Sequence, residues 1–165
     1  MFLAVSLPPE VVDQISDLPT EARRGVRYTK RSQWHITLRF LGDCERNDAL
    51  FALDGLQAPS AQVSIGPEVG LLGTRIVMLP VQGLDAVASE VATAFAHVGE
   101  PSDREFAGHI TLARLKGAPL RDPSTVSVLG APLSTTFVAD TISLFSSDVD
   151  EAGAIHTLVA TQDLH

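Results

Sequence analysis

The chain has 165 residues, 45% hydrophobic and 19% charged, with a net charge of −8. This balance excludes a disordered chain and fits one core, while the net negative charge argues against broad, sequence-independent duplex binding. The single Cys44 excludes an internal disulfide, no apolar run reaches about 18 residues, and the start MFLAVSLPPE lacks a basic leader, so a cytoplasmic protein without a membrane partner is expected.

Taken in order, residues 2–7 read as a strand. Pro8-Pro9 can open a helix in which Val11, Val12, Ile15 and Leu18 recur at helical spacing. Residues 26–29 suit a short strand, and 34–41 a stronger one stopped by Gly42-Asp43. Asn47 or Asp48 is expected to cap a helix carrying Leu50, Phe51, Leu53 and Leu56. Residues 63–66, 69–72 and 74–81 read as strands between Gly and Pro punctuation. The strongest helix is expected over 84–98, with Leu84, Val87, Ala88, Val91, Phe95 and Val98 on one stripe and Gly99 at its end. A loop through Pro101 and Glu105 leads into a strand over 106–115, and 116–133 suit a loop with one short helix. Residues 136–147 and 155–162 are expected to pair as a hairpin turning through 148–153. Hairpins and helices without regular alternation favour an α+β fold with largely antiparallel sheets.

The tetrapeptide His-Ile-Thr-Leu occurs twice, at His35–Leu38 and at His109–Leu112, 74 residues apart. In a strand, His35 and Thr37 face one way while Ile36, Leu38 and Phe40 face the other. The second copy sets His109 and Thr111 against Ile110, Leu112 and Arg114. Packing alone does not demand His and Thr twice at equivalent positions, so a duplicated lobe with a shared polar cleft is the better reading. The first copy lies in a basic window: Arg23, Arg24, Arg27, Lys30, Arg31, Arg39 and Arg46 meet only Glu21, Asp43 and Glu45. A local patch of this kind attracts a short anionic ligand.

Two histidines make a poor zinc site, and no His-x-His, Cys-x-x-Cys or Glu-x-x-His completes one. A Gly-x-Ser-x-Gly elbow and a Gly-rich phosphate loop are also missing. General acid–base chemistry fits better. Imidazole, with an ordinary pKa of about 6.5, can serve as base on one side of a phosphodiester and as acid on the other. The hydroxyls of Thr37 and Thr111 can donate to non-bridging phosphate oxygens. Such a pair should give a bell-shaped pH dependence with a maximum at roughly pH 6–8. His97 is expected to face solvent, His165 to fray, and His156 to lie in the last strand rather than line the cleft.

At these residues the chain resembles the two-histidine phosphoesterase superfamily, and most closely the bacterial RNA 2′,3′-cyclic phosphodiesterases of the 2′-5′ RNA ligase family. The resemblance rests on Phe2-Leu3-Ala4-Val5, on the block from Trp34 to Gly42, and on His109-Ile110-Thr111-Leu112-Ala113-Arg114. It implies a single domain over 1–165, made of two interleaved lobes: a bilobal α+β fold with two pseudo-symmetric antiparallel sheets and flanking helices around a central cleft. It also implies a monomer that needs neither metal nor another cofactor. The activity implied is hydrolysis of a 2′,3′-cyclic phosphate, on RNA 3′ ends or small cyclic nucleotides, to a 2′-phosphomonoester. His35 would protonate the leaving 3′ oxygen, His109 would activate water, and Thr37 and Thr111 would bind phosphate. The alternatives are a non-catalytic phosphate or RNA-end binding module, a weak ATP-independent 2′-5′ RNA ligase, or another branch of the superfamily. The chain departs from the family pattern at Ala107-Gly108, where Arg-Pro is common, and at Ile155-His156, where an aromatic residue is common. Tyr28 and Trp34 are the nearest aromatic candidates for stacking a base.

Overall fold

The computed structural model describes residues 1–101, 105–116, 126–150 and 153–165. Apolar residues at strand spacing form β1 (Phe2–Ser6), and Pro9 at the first helical position opens α1 (Pro9–Ser16), which buries Val11 and Ile15. There follow β2 (Val26–Tyr28), a 3-10 turn at Arg31–Gln33, β3 (His35–Phe40), α2 (Arg46–Asp54), β4 (Ala61–Ile65), β5 (Gly70–Leu72) and β6 (Ile76–Gln82). The remaining elements are α3 (Asp85–Ala94), β7 (His109–Leu115), β8 (Thr135–Ala139), β9 (Thr141–Asp150) and β10 (Gly153–Asp163). The fold is α+β, as expected, and each strand pairing is antiparallel.

The strands follow the order β10-β9-β1-β3-β7-β6-β4-β8, with β2 added to β7 and β5 to β6. The two expected sheets are therefore continuous, and their junction is a single registered pair, Ile36↔Ile110, between β3 and β7. On either side of it the duplication repeats in register. Ser6↔His35, Val5↔Ile36 and Ala4↔Thr37 on β1·β3 become Pro80↔His109, Leu79↔Ile110 and Met78↔Thr111 on β6·β7, each shifted by the same 74 residues. Even the irregularity repeats: a bulge interrupts both ladders, between Leu3 and Ala4 in one and between Val77 and Met78 in the other. Sequence duplication has become duplication of strand register.

One face of this sheet carries the helices. Ile36 and Ile110 are fully buried, Leu38 and Leu112 nearly so, and α3 packs against β3. The stripe Leu84, Val87, Ala88, Val91 and Phe95 is buried as predicted, each large side chain contributing about 1.5–3 kcal/mol by leaving water. The α-helical part stops at Ala94, and a turn runs on to Val98. Gly99 then takes φ +71°, and a Cβ there would stand 2.0 Å from the Leu41 carbonyl oxygen, so only glycine lets this corner seat against the end of β3.

Several expectations are corrected. The helix α2 starts at Arg46 with Glu45 as an N-cap that makes no side-chain hydrogen bond, and it packs against β10 while Phe51 points to solvent. The run 136–147 is not one strand. It breaks at Asp140, with β8 pairing β4 in one half and β9 pairing β1 in the other. Phe40 is 66% exposed and Arg114 is exposed, because the bulges reverse the alternation at their ends of β3 and β7. The His165 backbone does not fray: it exchanges hydrogen bonds with Ala58 and Ser60. Parts of the loops expected around 101–105 and 116–133, and the tip of the last hairpin, lie outside the described residues.

Candidate active site

The register at Ile36↔Ile110 builds the site. Extending it one residue each way sets His35 across from Thr111 and Thr37 across from His109. All four side chains project to the face opposite the two buried isoleucines. The two histidines become diagonal neighbours across an antiparallel pair, a relation that spaces side chains by about 7–8 Å and leaves room for one phosphate between them.

Each imidazole is oriented by the same local device. His35 Nδ1 lies 2.7 Å from the Gln33 carbonyl oxygen, and His109 Nδ1 lies 2.7 Å from the Ala107 carbonyl oxygen. A carbonyl only accepts, so each Nδ1 carries the proton and each Nε2 is left for chemistry. The hydrogen bond two residues back is again shifted by 74 positions. Packing, by contrast, is unequal. The His35 ring lies 5.0 Å from Phe2 and meets His156 edge-on at 5.4 Å, whereas no such ring contact reaches His109 among the described residues.

Burial lowers the pKa of His35. The Gln33 hydrogen bond opposes that, and the charges of His156, His109 and Arg114 push it down further. Burial likewise lowers His156. Arg114 thus acts on the cleft directly, and β2 adds Arg27 opposite it in register on the same face. Both were present in the sequence, but only the bulge shows that Arg114 faces the cleft. Among the described residues no group of three or more His, Cys, Asp or Glu side chains could hold a metal ion.

A 790 Å³ cavity opens beside His35. Phe2, Trp34, Phe145 and Leu158 give it apolar walls, with Lys30 and Arg31 at the same cavity. Both aromatic candidates pack against the core, and of the two Trp34 also lines this cavity while Tyr28, opposite Ala113 on β2, does not. Phe2 and Phe145, stacked at 5.3 Å, are the aromatics that sequence reasoning missed. They read as ordinary core residues because only the fold sets β1 between β3 and β9. His156 belongs to the cavity, and His97 is exposed beyond α3.

Gly108, in place of the common proline, sits where a Cβ would come within 2.6 Å of the Val81 carbonyl oxygen. Its own carbonyl accepts the Val81 N–H at 2.9 Å, locking the entry to β7. Gly108→Ala is therefore expected to cost about 1–3 kcal/mol in urea denaturation, by displacing backbone beside His109. Unchanged stability would show that the β6–β7 junction yields freely.

The antiparallel α+β fold and the paired His-x-Thr strands are similar to those of known phosphoesterases. A family model described as LigT like Phosphoesterase matches residues 5–65, the stretch that contains the first motif. A solved phosphoesterase structure matches with a TM-score of 0.78 at 25% identity, covering 99% of this chain and 96% of that one. Escherichia coli LigT, crystallised with NADP+, matches at 0.75 and 25% identity over 99% and 95%. A protein of Thermus thermophilus, TT0787, matches at 0.72 and 22% over 98% and 96%. No curated protein matches by sequence. The chain is thus similar to the LigT-like phosphoesterases, in sequence around its first motif and in fold along nearly its whole length.

Proposed function

We propose that this protein hydrolyses 2′,3′-cyclic phosphates, on RNA ends or small nucleotides, to 2′-phosphomonoesters, with His35 as acid and His109 as base and without a metal. The observation that carries this reading is the matched orientation of the two imidazoles. Both are held through Nδ1 by the carbonyl two residues back, on adjacent strands and one face, so that two Nε2 atoms flank one space. Water attacking phosphorus gives up its proton to His109, the bond to the 3′ oxygen breaks, and His35 supplies the proton that the leaving oxygen takes. Thr37 and Thr111 donate to the non-bridging oxygens, and Arg114 offsets their charge. NADP+, which E. coli LigT holds, bears a 2′-phosphomonoester on its adenosine ribose. That is the group this reaction would leave, and it supports the reading. A monomer acting in the cytoplasm completes the proposal.

Incubation with 2′,3′-cyclic AMP and with an RNA oligonucleotide ending in a cyclic phosphate, each in excess EDTA, tests it. Turnover that survives chelation is expected, with a 2′-phosphate product. Binding of both without turnover would overturn it in favour of a recognition module. Thr37→Ala and Thr111→Ala should each lower kcat/KM by about 1–3 kcal/mol of transition-state stabilisation, the worth of one donor. Unaltered kinetics in both would remove the threonines from the phosphate site.

A further inference from the structure

We propose that His156 is a positioning residue of this site: it holds the His35 ring against Phe2 and makes protonation of His35 depend on an anion in the cleft. The inference rests on the acid role proposed for His35 but concerns a residue outside the duplicated motif.

The geometry is specific. His156 lies edge-on to His35 at 5.4 Å and 88°, and edge-on to Phe2 at 4.9 Å and 78°. Three rings therefore brace one another at the inner end of the cavity, Phe2 from β1, His35 from β3 and His156 from β10. Gln33 ties the same strands: its carbonyl accepts from His35 Nδ1, and its side-chain amide donates to the Ala154 carbonyl, two residues before His156. In the second half Ala107 stands where Gln33 does and has no side chain to make such a tie.

His156 Nδ1 is sealed from solvent without a hydrogen-bond partner among the described residues. A second proton on that ring would bury an N–H with no acceptor, which is costly, so the neutral form with its proton on Nε2 is favoured. Burial accordingly lowers the pKa of His156. On acidification the charge that His156 does acquire then opposes a charge on His35. The other groups facing His35 act in the same sense. They are His109 and Arg114 from β7; Lys30 and the Asp13-paired Arg31 line the same cavity, which no carboxylate lines among the described residues. With no carboxylate lining the cavity among the described residues, a ligand such as a phosphate would supply the counter-charge to His35.

Imidazole NMR titration of His35 tests this without reference to turnover. His156→Phe keeps the ring packing and His156→Asn keeps a polar group, and neither can be protonated. In both, the His35 midpoint should rise relative to the native protein. Saturating inorganic phosphate should raise the midpoint in the native protein as well. If His156→Phe fails to fold, His156→Asn decides. An unmoved His35 midpoint in a folded variant, or no response to phosphate, overturns the proposal. So does a variant whose activity falls equally at all pH values with the titration unchanged, since that marks a purely structural role. Displaced titration in a protein without turnover would leave the positioning role standing and defeat the proposed reaction instead.

Discussion

Replacing either motif histidine with alanine is expected to cut turnover by about 10²–10⁴-fold while substrate binding is largely kept, since each removes one proton transfer from the transition state. His109→Ala should abolish the acidic limb of the pH profile, and His35→Ala the alkaline limb. The alkaline limb also has a predicted position. As the acid, His35 works only when protonated, and burial first, then neighbouring positive charge, lowers its pKa in the free protein. Raising the pH therefore strips the active form away earlier than for an ordinary imidazole of about 6.5, so the alkaline limb of kcat/KM, and with it the maximum, should lie on the acid side of the roughly pH 6–8 expected for two ordinary imidazoles. In the substrate complex the phosphate's negative charge favours imidazolium, so the same limb in kcat should lie at higher pH. Steady-state kinetics across pH on the native protein and both variants would check this. Coincident alkaline limbs for kcat and kcat/KM, or a limb that persists in His35→Ala, would reassign the acid.

The second large effect lies beneath the site. Ile36 and Ile110 are both fully buried and form the registered pair that joins β3 to β7. Ile110→Ala or Ile36→Ala should cost about 2–5 kcal/mol, because the rigid neighbours cannot close over the lost volume. The double variant should cost less than the sum, since the two side chains are cross-strand partners and the second deletion enlarges a cavity already made. Urea denaturation would measure this through a lowered midpoint at constant slope. Phe51→Ala serves as the control. That ring is 83% exposed, and its loss should stay within about 0.5 kcal/mol. Equal effects at Phe51 and Ile110 would contradict the assignment of the core.

Much of this molecule was legible in its residues. Apolar periodicity located α1 and the buried stripe of α3, because burial of one helical face is a local requirement. The repeated His-Ile-Thr-Leu placed two imidazoles and two hydroxyls opposite buried isoleucines, because a strand alternates its faces whatever it pairs with. The exposure of Phe51 was not legible, for the opposite reason. Which face of α2 is covered depends on β10, more than a hundred residues away.

The sequence by itself thus determined the chemistry on offer: two matched His-x-Thr strands, a basic window around the first, and an α+β pattern. Only the tertiary structure decided how that chemistry is deployed. The pairing Ile36↔Ile110 gathers four side chains at one point, and matched bulges turn Arg114 into the cleft. The return of β10 beside β9 brings His156 against His35 and makes two identical motifs unequal. The physical reason is common to all three. A strand's own residues fix which of them share a face, but register, bulges and neighbours are set by hydrogen bonds and packing to strands distant in the chain, and no local pattern encodes them.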